Sequence, residues 1–262
     1  MNRVESRGAL VTGSTSGIGL GIANSLAASG YDVMLNGFGT PEEISKICVG
    51  IVRDYGVRVF HHDADLSRRE ACQELVAHTE EKLGRVDVLV NNAGIQHTAP
   101  IETFPADKWD AILALNLSAA FHTSQAALPR MRQHGWGRVV NIASVHGLVA
   151  SINKCAYVAA KHGLIGLTKV IALETANSGI TSNAVCPGWV LTPLLQRQID
   201  ARAKEQGVTP EKAAATLLAE KQPAQRFTKV EEVGALVVFL CSDAAANITG
   251  ASLTVDGGWT AQ

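Results

Sequence analysis

Aromatic side chains and an excess of charge are both lacking in this sequence. Phe, Trp and Tyr make up 5% of the 262 residues, whereas 47% of the chain is hydrophobic and the formal net charge is only -1. An apolar content drawn mainly from Ala, Val, Leu and Ile is typical of buried parallel strands and packed helices. With charges of mixed sign, neither a nucleic acid nor a membrane surface is expected as a partner.

Paired cysteines and metal-binding patterns are missing as well. The five cysteines are odd in number, widely separated and free of any C-x-x-C pair, which indicates reduced thiols in a cytoplasmic protein. We see no apolar run long enough to span a bilayer and no signal peptide before the first predicted strand. His61 and His62 have no nearby Cys or suitably spaced carboxylate, so we expect no metal site.

Internal repeats, linkers and low-complexity segments are also absent, which predicts one domain over residues 1–262. Short apolar runs alternate with helical patterns, as in α/β proteins with a parallel sheet. The predicted strands are 8–12, 31–36, 57–61, 86–90, 137–143, 180–186 and 251–255. The predicted helices are 20–29, 41–55, 67–82 with Ser67 as N-cap, 109–131, one from Cys155 onwards, 194–206, 210–221 and 230–242. The long connection 191–227 would be a helical lid over a substrate.

A glycine-rich turn follows the first predicted strand. Its spacing, Gly13-x3-Gly17-x-Gly19, lacks the G-x-G-x-x-G order, yet it brings backbone amides and a helix N-terminus together as a pyrophosphate requires. An ordinary turn is the alternative. The second strand ends in Asn36-Gly37-Phe38-Gly39, without an acidic residue or an arginine, and the missing cation favours NAD over NADP. Phe38 either packs on an adenosine or is an exposed loop aromatic.

The stretch from 141 to 162 carries the strongest chemical signal, because Ser144, His146, Lys154, Tyr157 and Lys161 follow one another closely. On a helix, Tyr157 and Lys161 are i,i+4 neighbours, and Lys154 lies roughly 10 Å earlier on the same face. A phenol with a pKa of about 10 is a poor base, but an adjacent ammonium favours its ionised form. We therefore expect the pKa of Tyr157 to be lowered, and a fall of about two or three units would place it near the working pH.

Two amide-bearing segments lie near the same predicted edge of the sheet. Asn91-Asn92-Ala93-Gly94 ends the fourth strand, where open α/β sheets bind ligands. Asn116 occupies the apolar middle of a predicted helix, and a buried amide must find partners. From spacing alone, a structural hydrogen bond to a neighbouring backbone and a water-bridged proton relay are equally open interpretations.

Together these motifs resemble the short-chain dehydrogenase/reductase family. The resemblance rests on T-G-x3-G-x-G at 12–19, N-N-A-G at 91–94, Asn116, Ser144 upstream of Y-x3-K, and P-G at 187–188. It implies a single-domain, Rossmann-type, doubly wound sheet of seven parallel strands, a nicotinamide cofactor (here NAD) and a homotetramer. It further implies that Tyr157 is the acid/base, that Lys161 binds the nicotinamide ribose, that Ser144 orients the reacting oxygen and that Asn116 holds a relay water. The residues that it places at the cofactor are Gly13, Thr15, Ser16, Gly17, Ile18, Gly19, Phe38, Asp65, Leu66, Asn92, Gly94, Tyr157, Lys161, Pro187, Gly188 and Val190.

The remaining polar residues predict the substrate. An ammonium, an imidazole and amide donors beside the reacting carbon describe a carboxylate clamp, and Trp189 would cover a small apolar part. Gln198 is equally well explained as a surface residue. The set is similar to that of family members that interconvert (R)-3-hydroxybutyrate and acetoacetate with NAD, whereas a larger 3-oxoacyl or polyol substrate, or a non-catalytic dinucleotide sensor, are the alternatives. The predicted substrate residues are Gln96, Ser144, His146, Lys154, Tyr157, Trp189 and Gln198.

Overall fold

The alternating patterns form a seven-stranded, wholly parallel sheet in the computed structural model, which describes residues 6–261. Its strand order is β3-β2-β1-β4-β5-β6-β7, so the predicted fold class is confirmed. Successive strands are added towards one edge of the sheet from β1 to β3 and towards the other edge from β4 onwards. Doubly wound sheets bind ligands in the crevice outside the point where this order reverses, between β1 and β4. The strands are β1 Gly8–Val11, β2 Asp32–Asn36, β3 Val59–His62, β4 Val88–Asn91, β5 Gly137–Ile142, β6 Ile180–Pro187 and β7 Ser252–Val255.

Helices cover both faces of the sheet. On one face α1, α2 and α9 bury an Ile/Val/Leu cluster against the strands, and on the other α3, α5 and α6 do the same. Strand β1, with the sequence Gly-Ala-Leu-Val, is buried along its whole length, which explains why it is apolar without alternation. The helices are α1 Gly17–Ala28, α2 Pro41–Tyr55, α3 Arg69–Leu83, α4 Ala106–Leu113, α5 Ala119–His134, α6 Cys155–Thr175, α7 Pro193–Gln206, α8 Pro210–Lys221 and α9 Val230–Cys241.

Three helices differ from the prediction by more than a shift of one residue at one end. The first helix begins at Gly17, within the glycine-rich turn, rather than at residue 20. Ser67 is not an N-cap, because its backbone N–H bonds to Oδ1 of Asp65 in a preceding turn and Arg68 takes the cap position. The predicted helix 109–131 is longer and is not uniform, since a π-helical turn over Ala114–Ser118 joins α4 to α5.

The connection after β6 folds into the two predicted helices. Thr192 and Thr209 accept hydrogen bonds from the first turns of α7 and α8, and each is followed by a proline at a position that tolerates it. The two helices share their own small apolar cluster, built around Leu195 and Ile199. Arg202 of α7 and Glu220 of α8 form an ion pair that ties the helices together.

Helix α6 contradicts the prediction that no apolar run is long enough to span a bilayer. Within residues 6–261 it is the one helix long and apolar enough to do so by length and composition. In this fold it packs against β6 and buries residues such as Leu164 and Lys161. The core helix of a globular protein passes the same test of length and hydropathy, so this helix is weak evidence for a membrane span.

Candidate active site

A cavity of about 640 Å³ opens at the carboxyl ends of β1 and β4. It is lined by the glycine-rich turn, by the loops after β2, β3, β4 and β5, by α6 and by the start of α7. Every residue predicted to bind the cofactor lies on its wall except Val190, which lines a smaller cavity next to it. Because this volume is in the range of cavities that hold an extended ligand, we call it the cofactor cavity.

The turn before α1 fits a diphosphate. Gly17 has a φ of +55°, a conformation that L side chains rarely adopt. A Cβ on Gly19 would lie 2.2 Å from the carbonyl oxygen of Gly13, so only glycine allows this close return of the backbone. The first turn of α1 has neither a side-chain cap nor an acidic residue, which leaves its amides and the positive end of its dipole available for a phosphate.

The loop after β2 is held by hydrogen bonds rather than by charge. Oγ of Thr15 donates to the carbonyl of Phe38 at 3.0 Å, and Nε2 of His61 lies 2.8 Å from the carbonyl oxygen of Gly37. The Phe38 side chain is 69% exposed and also lines the cofactor cavity. It is therefore an exposed loop aromatic that is placed where an adenosine could pack on it. The side chain of Asn36 points inwards, where its Oδ1 accepts from the amide of Gly13.

The amides after β4 shape the cavity from behind. Nδ2 of Asn92 donates to the carbonyls of Thr12 and Gly13 at 2.9 and 3.0 Å. The hydroxyl of Thr12 in turn accepts from the backbone amides of Asn92 and Ala93. The N-N-A-G segment therefore fixes the glycine-rich turn in place, which sequence reasoning did not foresee.

Asn116 lies in the π-helical turn and is 2% exposed. Its Oδ1 accepts from the amide of Ile95 and its Nδ2 donates to the carbonyl of the same residue, both at 2.9 Å. Both polar groups of the side chain are thus satisfied by one backbone unit, as the structural interpretation expected. Through Ile95, Asn116 fixes the loop that carries Gly94 and Gln96.

The structure brings Ser144, Tyr157 and Lys161 together where the two cavities meet. Ser144 follows β5, while α6 carries Tyr157 and Lys161 one turn apart. Nζ of Lys161 donates to the carbonyl of Ile142 at 2.7 Å and lies 5.6 Å from the ring centre of Tyr157. Burial lowers the pKa of Lys161 from 10.5 to about 8.

The expected fall in the pKa of Tyr157 is contradicted. Burial raises the pKa of its phenol, because a phenolate loses hydration in the closed site, and a hydrogen bond with Ser144 offsets only part of the rise. The sequence places the Lys161 ammonium next to the phenol but does not reveal how strongly the site excludes water. In the protein alone, Tyr157 is therefore held as a neutral acid.

A second cavity, of about 110 Å³, adjoins the first at Tyr157 and Ser144. All seven predicted substrate residues line it, including Gln198, whose side chain is otherwise exposed. Trp259, from the last turn of the described chain, also lines it and was not predicted. Its ring packs 5.5 Å from the ring of His146 and 5.3 Å from that of Trp189. The only signal for Trp259 was its place in the terminal V-D-G-G-W-T.

The positive charge of this substrate cavity comes from one ammonium group. Lys154 is the only cationic residue among the described residues on its wall, and its Nζ lies 5.1 Å from the ring centre of Trp189. Burial, followed by the charge of Lys154, lowers the pKa of His146 to about 4. His146 is therefore neutral at pH 7, with its Nε2 2.8 Å from Oγ of Ser151 and its Nδ1 3.4 Å from Oγ of Ser144.

No group of three or more His, Cys, Asp or Glu side chains in residues 6–261 is arranged to hold a metal ion. The side chains that the site presents are a phenol, two ammonium groups, a neutral imidazole, hydroxyls, amides and a pair of tryptophans. A phenol and a hydroxyl at the mouth of a small cationic cavity can exchange a proton with an alcohol or ketone that carries a carboxylate.

Comparison with known proteins agrees with this geometry. The family model described as "Enoyl-(Acyl carrier protein) reductase" matches residues 13–260. The chain is 54% identical to the D-beta-hydroxybutyrate dehydrogenase of Cupriavidus necator, over 97% of this chain and 98% of that protein. It is 49% identical to the enzyme of the same name from Rhizobium meliloti, with the same coverage.

Among solved structures, an actinorhodin polyketide ketoreductase with NADPH has a TM-score of 0.92 and 36% identity, covering 99% of each chain. The L-sorbose reductase of Gluconobacter frateurii, complexed with NADPH and L-sorbose, has a TM-score of 0.94 and 28% identity, covering 99% of this chain and 98% of that one.

Proposed function

The chain belongs to the short-chain dehydrogenase/reductase family and is an oxidoreductase; from that premise we propose that it oxidises (R)-3-hydroxybutyrate reversibly to acetoacetate with NAD. One observation supports the substrate most directly: a small cavity beside Tyr157 is lined by a single cation, Lys154. A short hydroxy acid offers a carboxylate for that cation and a hydroxyl for the phenol.

Size and charge favour a short acid over the alternatives. A cavity of about 110 Å³ is below the 300–1,000 Å³ typical of sites for larger ligands. A polyol would leave the ammonium of Lys154 without a counter-charge in a partly dry site, which is costly. In this proposal Lys154, Gln96 and Gln198 hold the carboxylate together with His146, and Trp189 covers the carbon chain.

The proposal assigns one proton-transfer role and two supporting ones. In reduction the neutral phenol of Tyr157 gives its proton to the keto oxygen, and in oxidation Tyr157 must first lose that proton to take up the hydroxyl proton of the substrate, while Ser144 donates a hydrogen bond to the reacting oxygen. Lys161, held by the carbonyl of Ile142, lies beside both the phenol and the cofactor cavity. Asn116 acts through the loop that it holds. A bound nicotinamide would supply the acceptor for the hydride at C3 of the substrate.

The choice of NAD over NADP depends on the adenosine end of the cofactor cavity. The cations on the described wall of this cavity, Lys161 and Arg197, lie on α6 and α7, and the loop after β2 that carries Gly37 and Phe38 adds none, so that loop offers no counter-charge to a 2′-phosphate. The two solved relatives named above contain NADPH, which makes this part of the proposal a direct experimental question.

We further propose a cytoplasmic homotetramer. Large apolar side chains are exposed on α4, α5 and α6, among them Trp109, Phe121, Val170 and Leu173. Exposed patches of this kind often mark contacts between subunits. Sedimentation equilibrium would give a mass of four chains of 27.6 kDa if this is right, and a monomer mass would contradict it.

A substrate panel followed by NADH absorbance tests the function. The panel contains (R)- and (S)-3-hydroxybutyrate, 3-hydroxy acids with longer chains and a polyol, each with NAD and with NADP. We expect the highest kcat/KM for (R)-3-hydroxybutyrate with NAD. Tyr157→Phe is the negative control, which should bind NAD normally and lose about 10²–10⁴-fold in kcat. A preference for the longer acids or the polyol would refute the proposed substrate.

A further inference from the structure

Helix α7 forms a wall between the two cavities and presents different residues to each. Pro193 and Arg197, four residues apart and therefore on one face, line the cofactor cavity. Leu195 and Gln198, three residues apart on the adjoining face, line the substrate cavity. One helix thus touches both ligand spaces.

Arg197 has no partner among the described residues. Neither an ion pair nor a hydrogen bond engages it, and its side chain is exposed towards the cavity that it lines. Asp200, the nearest acid along the helix, accepts instead from Nε2 of Gln196 at 2.9 Å. Arg202 further along is paired with Glu220. Arg197 is therefore a free cation at the edge of the cofactor cavity.

The cofactor cavity otherwise lacks a charge for the diphosphate. The cations on its described wall are Lys161 and Arg197, and Lys161 is buried and bonded to the carbonyl of Ile142. The glycine-rich turn supplies amides and partial charge, but no full positive charge. A dinucleotide nevertheless carries its two formal negative charges on the diphosphate.

Arg197 is also within reach of that position. A Cβ on Gly17 would lie 3.6 Å from Cγ2 of Thr192, so the N-cap of α7 sits against the start of α1. Arg197 follows five residues later, about 7.5 Å along the helix, a distance that an extended arginine side chain can span back towards the turn. The planar guanidinium binds phosphate oxygens through paired hydrogen bonds.

We propose that Arg197 binds the diphosphate of the dinucleotide from α7, opposite the glycine-rich turn, and so couples cofactor binding to the completion of the substrate cavity. Because α7 packs mainly on α8 through its own cluster, an anchor at Arg197 would fix Leu195 and Gln198 at the same time. The coupling is reciprocal, so substrate would also strengthen cofactor binding. The inference rests on the proposed dinucleotide but not on the identity of the substrate.

Calorimetric titration of NAD and of NADP into the intact protein tests the contact. Arg197→Gln should raise the Kd for NAD about tenfold, the effect of losing one charge-assisted hydrogen bond. The factor for NADP should be the same, since both dinucleotides carry the diphosphate. Arg197→Lys should recover part of the loss. Lys204→Gln, the same loss of charge two turns further along α7 and outside both cavities, should leave the Kd unchanged.

An unchanged Kd in Arg197→Gln would overturn the proposal, as would an equal loss in Lys204→Gln. An effect on NADP alone would assign Arg197 to the 2′-phosphate and also overturn it. If the wild type fails to oxidise 3-hydroxybutyrate while Arg197→Gln still loses dinucleotide affinity, the proposed substrate fails and the Arg197 contact stands.

Hydrogen exchange tests the coupling without turnover. NAD should slow exchange in residues 193–206 of the wild type and of Lys204→Gln but not of Arg197→Gln, all measured at saturating NAD. Residues 17–28 at the glycine-rich turn should be protected in all three proteins. Equal protection of α7 in Arg197→Gln would refute the coupling.

Discussion

Lys154 and His146 show how burial acts on single residues of the substrate cavity. Burial lowers the pKa of both, but for His146 the neighbouring ammonium of Lys154 adds to the effect. The pKa of His146 falls from 6.5 to about 4, so the imidazole is neutral at pH 7 and Lys154 is the cationic residue type on the cavity wall. A carboxylate in this cavity should therefore depend on Lys154 far more than on His146.

Replacing Lys154 by Met should weaken the binding of a charged substrate more than the binding of an uncharged one. We expect Lys154→Met to raise the KM for (R)-3-hydroxybutyrate at least tenfold, since a hydrogen bond to a charged group is worth about 1.5–3 kcal/mol. The KM for NAD should not change. The methyl ester of the same acid provides the control, because wild type should prefer the acid and Lys154→Met should not. An equal loss for acid and ester would show that Lys154 serves packing alone.

His146 should make the protein sensitive to acid. Its pKa is lowered from 6.5 to about 4, so between these values the unfolded chain binds a proton that the folded protein does not. The free energy of unfolding therefore falls as the pH drops from 6.5 to 4, by up to about 3 kcal/mol. Above pH 6.5 this penalty is absent.

His146→Asn, which keeps a side-chain N–H, should reduce that acid sensitivity. Urea unfolding at pH 7 and pH 4.5, at fixed salt and protein concentration, measures the difference. We expect the variant to lose about 2–3 kcal/mol less than wild type between the two values. His134→Asn, at the exposed end of α5, should behave like wild type. An unaltered pH dependence in His146→Asn would contradict the assignment.

At the scale of the elements, what the sequence could predict follows from how local each signal is. The predicted bounds of α2, 41–55, agree with the observed ones, and there the structure shows local cap chemistry at Thr40, Pro41 and Gly56. The π-helical turn at Asn116 has no such local signal, and the side chain of Asn116 bonds to Ile95, far away in sequence. Contacts between residues far apart in sequence are not visible in local helix propensity.

Helices α1 and α9 pack so closely that glycine is required at their contact. A Cβ on Gly234 would lie 2.1 Å from Oγ and 2.9 Å from Cβ of Ser25. We expect Gly234→Ala to lower the free energy of unfolding by about 1–3 kcal/mol through overpacking. Adding Ser25→Gly should recover much of the loss, because it removes both clashing atoms. Urea unfolding of the single and double variants measures the coupling.

Gly50 in α2 is the matched control for that prediction, because a Cβ there would meet nothing within 4 Å. Gly50→Ala should stabilise the protein by about 0.5–1 kcal/mol through helix propensity alone. A loss of stability in Gly50→Ala, or additive effects of Ser25→Gly and Gly234→Ala, would mean that the α1–α9 contact is not the cause.

At the scale of the whole molecule, the active site gathers residues from nearly the full length of the chain. The motifs that a sequence reader can see, such as Tyr157 and Lys161, lie one helical turn apart. Arg197 carries no motif and Trp259 only its place in the terminal V-D-G-G-W-T, and the folding of α7 and of the last turn brings them to the cavities. The pKa of Tyr157 was predicted in the wrong direction for the same reason, since burial is a property of the assembled fold.

The position of Trp259 is set by the turn that follows β7 and not by the sheet itself. The carboxylate of Asp256 accepts from the amides of Gly258 and Thr260 and from the hydroxyl of Thr260 at 2.7 Å. This turn sets the indole of Trp259 against Trp189, where the two rings close one side of the substrate cavity. The last residues should therefore limit the length of the acid that fits.

Trp259→Ala should open that side of the cavity. We expect the KM for (R)-3-hydroxybutyrate to rise about tenfold, as the loss of one large apolar contact suggests. The kcat/KM for a six-carbon 3-hydroxy acid, relative to the four-carbon acid, should rise, whereas the Kd for NAD should stay within about twofold because Trp259 does not line the cofactor cavity. Trp259→Phe, which keeps an aromatic ring and protects the fold, should fall between wild type and Trp259→Ala. If the relative kcat/KM for the two acids is the same in all three proteins, Trp259 does not set the chain length, because a wall that limits a substrate must change its selectivity when it is removed.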